Sequence, residues 1–160
     1  MAQIVKNYGV FWERDKVAFG RKGPGNKGVL EGHCSGAKAT VDFSKQRGIY
    51  VLYEGPTINL QRVSYVGQTG KGGKRLLSRL RDHTSDHLWN RWNRFSWLGF
   101  LAVNNNLTDL IHKDKTAIGA VPFETALDQL EASLIDLLEP LLNKQGAKWH
   151  GAVEYFQGAP

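Results

Sequence analysis

Glu131 falls in an unexpected place in the pattern around it. In "PFETALDQLEASLIDLLEPLLN" an apolar stripe runs through Leu127, Leu130, Leu134, Leu137, Leu138 and Leu141, and Glu131 lies four residues after Leu127 and three before Leu134. Those intervals put a carboxylate on the buried face of a helix. Such a group requires a cation, a metal or a strong donor network beside it, because an unpaired buried carboxylate is costly. A salt bridge to an arginine and a functional carboxylate both meet that requirement, and spacing leaves the two open. A second pair, Arg79 and His83 in "KRLLSRLRDH", is four residues apart on the edge of the arc formed by Leu76, Leu77 and Leu80. Side chains at that edge can reach a cleft. Tyr50 in "GIYVLY" and Tyr65 in "VSYVG" complete the set, each on one face of a strand-like run.

Two more conspicuous patterns fail on inspection. "YVGQTGKGGKR" suggests a nucleotide phosphate loop, but the position five before Gly73 is Gln68 rather than glycine, and Lys74 is followed by Arg75 rather than a hydroxyl. His83 and His87 have the i, i+4 spacing of a zinc pair, yet Thr84 and Ser85 stand where the helix is ending and no third ligand follows. No nucleophilic Ser or Cys triad has local support.

The elements that must position these residues can be read from composition and period. "GIYVLY" at 48–53 and "VSYVG" at 63–67 read as strands, and the Gly55-Pro56 signal between them makes an antiparallel hairpin that brings the two phenols side by side. Helical spacing begins after Gly73. The segment "HLWNRWNRFSWLGFLAV" ends in a third strand near 95–103, with Trp89, Trp92 and Trp97 expected to fill core. Residues 104–121 read as an irregular connection. Pro122 suits a first helical turn, and Pro140 marks the helix end. Nearer the start, "YGVFWERDKVAFG" reads as two strand-like clusters around a polar turn, followed by the basic glycine-rich loop "GRKGPGNKG".

The expected class is therefore α+β, with a small central antiparallel sheet of about three core strands flanked by helices and an extra N-terminal β/loop segment. The expected division is 1–45 for that segment, 46–150 for the main domain and 151–160 for a tail. At 160 residues and 41% hydrophobic, the chain can bury one core. Residues 1–100 carry 17 Lys and Arg against 7 Asp and Glu, whereas 101–160 carry 4 against 8. A basic surface of that size favours a polyanion, through release of counterions from phosphates. A single cysteine, no secretory pattern at the start and no apolar run of membrane length make the cytoplasm the expected compartment.

Taken in order, these residues resemble the GIY-YIG nuclease family. The name-giving triplets appear as Gly48-Ile49-Tyr50 and Tyr65-Val66-Gly67, with Val in place of Ile in the second. "SRLRDH" supplies the family's helix-borne arginine as Arg79, with His83 one turn on; "FSWLGF" fits its third strand. "LEASLIDLLEPLLN" fits its closing segment, with Glu131 as the acidic residue and Asn143 as the asparagine after the proline. The match covers about residues 46–149. The family's basic residue after the second triplet is replaced by Gln68, with Lys71 and Lys74 as substitutes, and Arg75 competes with Arg79 for the arginine role.

The resemblance implies a metal-dependent DNA endonuclease. Glu131 would hold one Mg²⁺ (or Mn²⁺) near the leaving 3′ oxygen. Arg79 would pair with the scissile phosphate and Tyr50 would act as general base, its phenol lowered by a cationic neighbourhood, with His83 relaying its proton. Tyr65 would orient water or phosphate, and Asn143 would position the site from behind. Lys71, Lys74, Arg75, Arg81, Arg21, Lys22 and Lys27 are the expected contacts to double-stranded DNA, on which a homodimer could act. The competing class is a non-catalytic nucleic-acid-binding module on the same fold, which has no need of the carboxylate.

Overall fold

The computed structural model describes residues 4–20, 25, 27–35, 39–111, 117–118, 120–144 and 146. Arg21, Lys22 and the tail 151–160 lie outside the described residues. In chain order the elements are β1 (Asn7–Glu13), β2 (Glu31–Gly32), β3 (Val41–Asp42), β4 (Gly48–Glu54), β5 (Arg62–Thr69), α1 (Leu76–Asp82), β6 (Arg94–Gly99), β7 (Ala117–Ile118), β8 (Val121–Pro122) and α2 (Phe123–Leu138). The expected α+β class is what the structure has, with one addition to the sheet. β1 joins the three core strands to make a four-stranded antiparallel sheet in the order β1-β6-β4-β5. β2–β3 and β7–β8 form two small separate hairpins. The second cluster of "YGVFWERDKVAFG" adds only an isolated bridge, Ala18 to Val29.

The centre of the sheet is buried on both faces, which is why "GIYVL" is an unbroken apolar run rather than an alternating one. Tyr50 and Leu52 point to the face carrying Phe95, Trp97 and the α1 leucines Leu76, Leu77 and Leu80. Ile49 and Val51 point to the other, where Phe123 and Leu127 of α2 cover them. α1 and α2 thus lie on opposite faces, and β5 is the edge strand between them. At the start of β4, Gly48 has φ +148° and packs so closely on the Leu98 carbonyl of β6 that a side chain there would collide with the backbone.

Two expectations about apolar residues need correction. Trp92 and Trp97 are core, but Trp89 is 57% exposed; it sits in the turns that follow α1, held by its backbone, whose N–H donates to the Asp86 carbonyl and whose carbonyl accepts from Arg14. The leucine stripe of α2 is buried only along its first part. Leu127 is fully buried and Leu130 and Leu134 are partly so, whereas Leu137, Leu138 and Leu141 are exposed and take no part in the cluster against the sheet. The helix ends where Pro140 requires, with Glu139 turned into the left-handed region at φ 43°.

Candidate active site

β5 brings the two halves of the site together because it is an edge strand with one side chain facing each way. Tyr65 lies opposite Leu52 in the ladder and faces α1; Gln68 lies opposite Ile49 and faces α2. On the α1 side the two phenols do emerge together, with ring centroids 6.2 Å apart. Gly67, paired with Tyr50 across the ladder, makes this close approach feasible. A Cβ at Gly67 would strike the Tyr50 hydroxyl and come within 2.7 Å of Tyr65 Cε1.

His83 caps the C-terminus of α1 and is buried. Its Nε2 lies 2.7 Å from Tyr50 Oη, its Nδ1 lies 2.7 Å from Asp86 Oδ2, and its ring is 5.2 Å from that of Tyr65. Both ring nitrogens are therefore engaged, so the His83–His87 pair is not arranged as a zinc site. Burial lowers the His83 pKa below the ordinary imidazole value, although Asp86 works in the opposite direction. The ring is held neutral near pH 7.

Tyr50 departs from expectation. Burial drives its pKa well above the ordinary phenol value, and the nearby Arg79 charge opposes this without overcoming it. Tyr65 is raised for the same reason, to a lesser degree of burial. The cationic neighbourhood therefore does not prepare a standing phenolate at Tyr50. The phenol keeps its proton near neutral pH.

Arg79, not Arg75, is the arginine of this cluster. Its charge acts on Tyr50, Tyr65 and Glu131, and its Nε is buried without a hydrogen-bond partner. Burial works against the guanidinium, but Tyr50, Tyr65 and Asp82 outweigh it and hold its pKa above the ordinary value. Arg75 is the N-cap residue of α1, where its backbone N–H donates to Ser78 Oγ at 2.9 Å.

On the α2 side, Glu131 is partly buried, and of the partners its position called for, a side-chain amide donor is present rather than a salt bridge to an arginine. The Gln68 side-chain amide donates to Glu131 Oε2 and to Asp128 Oδ1, both at 2.9 Å. Burial, with the Asp128 charge next, raises the Glu131 pKa. Lys71 Nζ approaches Asp128 at 2.9 Å, which places an ammonium beside Gln68. Lys74 lies elsewhere, paired with Asp82 of α1 at 2.9 Å. Tyr65, Gln68, Lys71, Asp128, Glu131 and Asn143 line one open cleft of about 540 Å³.

Asn143 folds back from the segment after α2 and treats β5 as a ladder partner. Its Oδ1 accepts from Val66 N at 2.9 Å, and its Nδ2 donates to Val66 O at 2.8 Å. Leu142 N donates to Ser64 O at 2.9 Å in the same manner. The edge beside Tyr65 is thus closed by the C-terminal segment. The Arg81 guanidinium donates to the Phe19 and Lys27 carbonyls at 2.7 and 2.6 Å, tying α1 to these two residues. Lys27 itself is exposed.

The sequence reading passed over three participants. Asp86 had a visible signal, an acid three residues after His83; Asp128 had the same relation to Glu131, three residues before it on one helix face. Gly67 had its place in the second triplet, but its steric purpose depends on the Tyr50 rotamer. Among the described residues no group of three or more His, Cys, Asp or Glu side chains converges as a metal cage. The oxygen donors that could hold a metal are instead a pair of carboxylates, Glu131 and Asp128, which share the Gln68 amide. The raised Glu131 pKa marks a carboxylate whose charge is poorly compensated, which a divalent cation would relieve. Among the described residues no helix is long and apolar enough to cross a membrane. No protein-family model, no curated protein and no solved structure matches this chain.

Proposed function

We propose that the protein is a metal-dependent endonuclease of the GIY-YIG type, hydrolysing DNA phosphodiester bonds. One observation carries this reading: the buried Tyr50–His83 hydrogen bond stands beside Arg79, with the Glu131 carboxylate close enough across the β5 edge for its charge to act on Tyr50. Phosphate binding alone has no use for a buried phenol–imidazole pair or for a partly buried carboxylate beside it. Phosphodiester hydrolysis uses both.

In this reading the scissile phosphate sits against Arg79, whose unpartnered Nε supplies a donor and whose planar guanidinium suits a two-point contact. The attacking water gives its proton to the Tyr50 oxygen as Tyr50 passes its own to His83 Nε2, so no free phenolate forms. Tyr65 orients water or phosphate from the neighbouring strand. Glu131, with Asp128 three residues before it, would hold a divalent ion, Mg²⁺ or Mn²⁺. When bound, that ion supplies charge stabilisation for the departing 3′ oxygen. Lys71 stands in for the basic residue that Gln68 replaces, because it lies in the cleft against Asp128 beside Gln68, whereas Lys74 is turned away to Asp82. Lys74, Arg75 and Lys27 remain contacts to flanking duplex, and homodimeric action on DNA belongs to the same proposal. So does a cytoplasmic setting, where the exposed Cys34 would stay reduced.

The test is incubation of the protein with supercoiled plasmid in Mg²⁺, in Mn²⁺ and in chelator. Nicking or linearisation only with metal, abolished by Glu131→Ala, is the expected result. Retarded but uncut DNA would favour the binding module, and full cleavage by Glu131→Ala would remove the carboxylate from the mechanism.

A further inference from the structure

The proton arrangement at His83 follows from one neighbouring charge. A carboxylate accepts hydrogen bonds and does not donate them, so the 2.7 Å contact between Asp86 Oδ2 and His83 Nδ1 puts the proton of the neutral ring on Nδ1. Nε2 then carries the lone pair, and Tyr50 must be the donor in the contact at 2.7 Å. Asp86 is itself held in place. Its Oδ1 accepts from the backbone N–H of Leu88 at 2.8 Å, and Leu88 is buried in the core beneath it. Burial works against the Asp86 charge, yet the Leu88 N–H and His83 keep its carboxyl below the usual range. The backbone of His83 is fixed too, since Trp92 Nε1 donates to the His83 main-chain carbonyl at 3.0 Å.

We infer that Asp86 is a positioning residue of this site, fixing His83 in the Nδ1–H tautomer so that Nε2 can take the Tyr50 proton. The catalytic consequence rests on the nuclease reading; the tautomer does not. In the hydrolytic step the water O–H bond breaks toward the Tyr50 oxygen and the Tyr50 O–H bond breaks toward His83 Nε2. The freed water electron pair forms the new P–O bond, and the 3′ oxygen leaves with the pair of the old one. Asp86 gains no proton. Its charge stabilises the imidazolium until His83 releases the proton to solvent.

The charged and titratable groups that face His83 are Arg79 and Asp82 from α1, Tyr50 from β4, Tyr65 from β5 and Asp86 from the turn after α1, with His87 acting on Asp86. Asp86 is the one among them bonded to Nδ1. Asp86→Asn is the informative variant, because the amide oxygen can keep the Leu88 N–H bond while the charge is lost. Nitrogen-15 NMR of the His83 ring in the wild-type protein should show Nδ1 protonated and Nε2 bare at neutral pH. In D86N the Nε2–H form should appear. The kcat for Mg²⁺-dependent plasmid nicking should fall by about 10²-fold or more, with KM for DNA nearly unchanged and D86E recovering part of the loss. A wild-type ring protonated on Nε2, or a D86N kcat within about threefold of wild type, overturns the assignment. A wild-type protein that does not cut DNA would defeat the nuclease reading alone, and the ring tautomer would then decide this one.

Discussion

Gly67 lies directly beneath the hydroxyl of Tyr50, where an added side chain would strike the phenol. The glycine of the second triplet is therefore part of the site's geometry as much as of the strand's. Gly67→Ala forces Tyr50 off its rotamer or displaces β5. We expect a destabilisation of about 1–3 kcal/mol, the usual range for overpacking, with loss of cleavage even where the protein remains folded. Thermal unfolding and a nicking assay on the same preparation check both parts.

Removing the Tyr50 oxygen tests the relay directly. Tyr50→Phe keeps the ring and its packing but leaves His83 Nε2 without a donor. A drop in kcat of about 10²–10⁴-fold is expected, with DNA affinity unchanged in a gel-shift measurement. Activity near the wild-type level would exclude Tyr50 from proton transfer.

The pH dependence has a definite sign. Burial depresses the His83 pKa below 6.5, so the folded protein binds fewer protons there than the unfolded chain. The stability this group contributes is complete above pH 6.5 and is lost as pH falls through the lower folded-state pKa. Because a neutral ring is needed to accept the Tyr50 proton, the acid limb of kcat should lie below pH 6.5. A kcat profile that declines already above pH 7 would contradict the relay.

The two lysines of the glycine-rich turn should separate by function. Lys71 lines the cleft beside Gln68 and Asp128, whereas Lys74 is tethered to Asp82 on the outside of α1 by an exposed ion pair. Lys71→Ala should lower both cleavage rate and DNA affinity. Lys74→Ala should lower only affinity, with a salt slope reduced by about one. Equal effects of the two substitutions on rate would remove Lys71 from the place of the missing basic residue.

Asn143 makes a third kind of contribution. Asn143→Ala deletes both bonds to Val66 and leaves that edge peptide to water or to nothing; a loss of about 1–3 kcal/mol is expected, read in denaturant melts. Asn143→Asp keeps the acceptor but sets an anion against the Val66 carbonyl, and should be no better than alanine.

Much of this arrangement is legible in the sequence because it depends on local signals. The β4–β5 hairpin, the Pro122 start of α2 and its end before Pro140 follow from turn chemistry, β-branched content and proline geometry, all read within a few residues. The spacing of Arg79 and His83 likewise placed both on one side of α1. What was hidden depends on pairing between distant segments. β1 reaches β6 across more than 80 residues, as in the pairing of Asn7 with Gly99, and no local pattern encodes that ladder. Trp89 carries the composition of a core residue, yet it falls in a turn facing outward. The raised Tyr50 pKa was also out of reach, since it is set by how completely the fold excludes water rather than by the charges a sequence displays.

The backbone bonds of Leu142 and the side chain of Asn143 occupy Ser64 and Val66, groups that an exposed edge strand would otherwise offer to any passing chain. Leu142 and Asn143 are also a wall of the cleft. One short segment is therefore both guard against intermolecular sheet growth and part of the binding surface, so peeling it away should bring clumping and loss of activity at a single onset temperature.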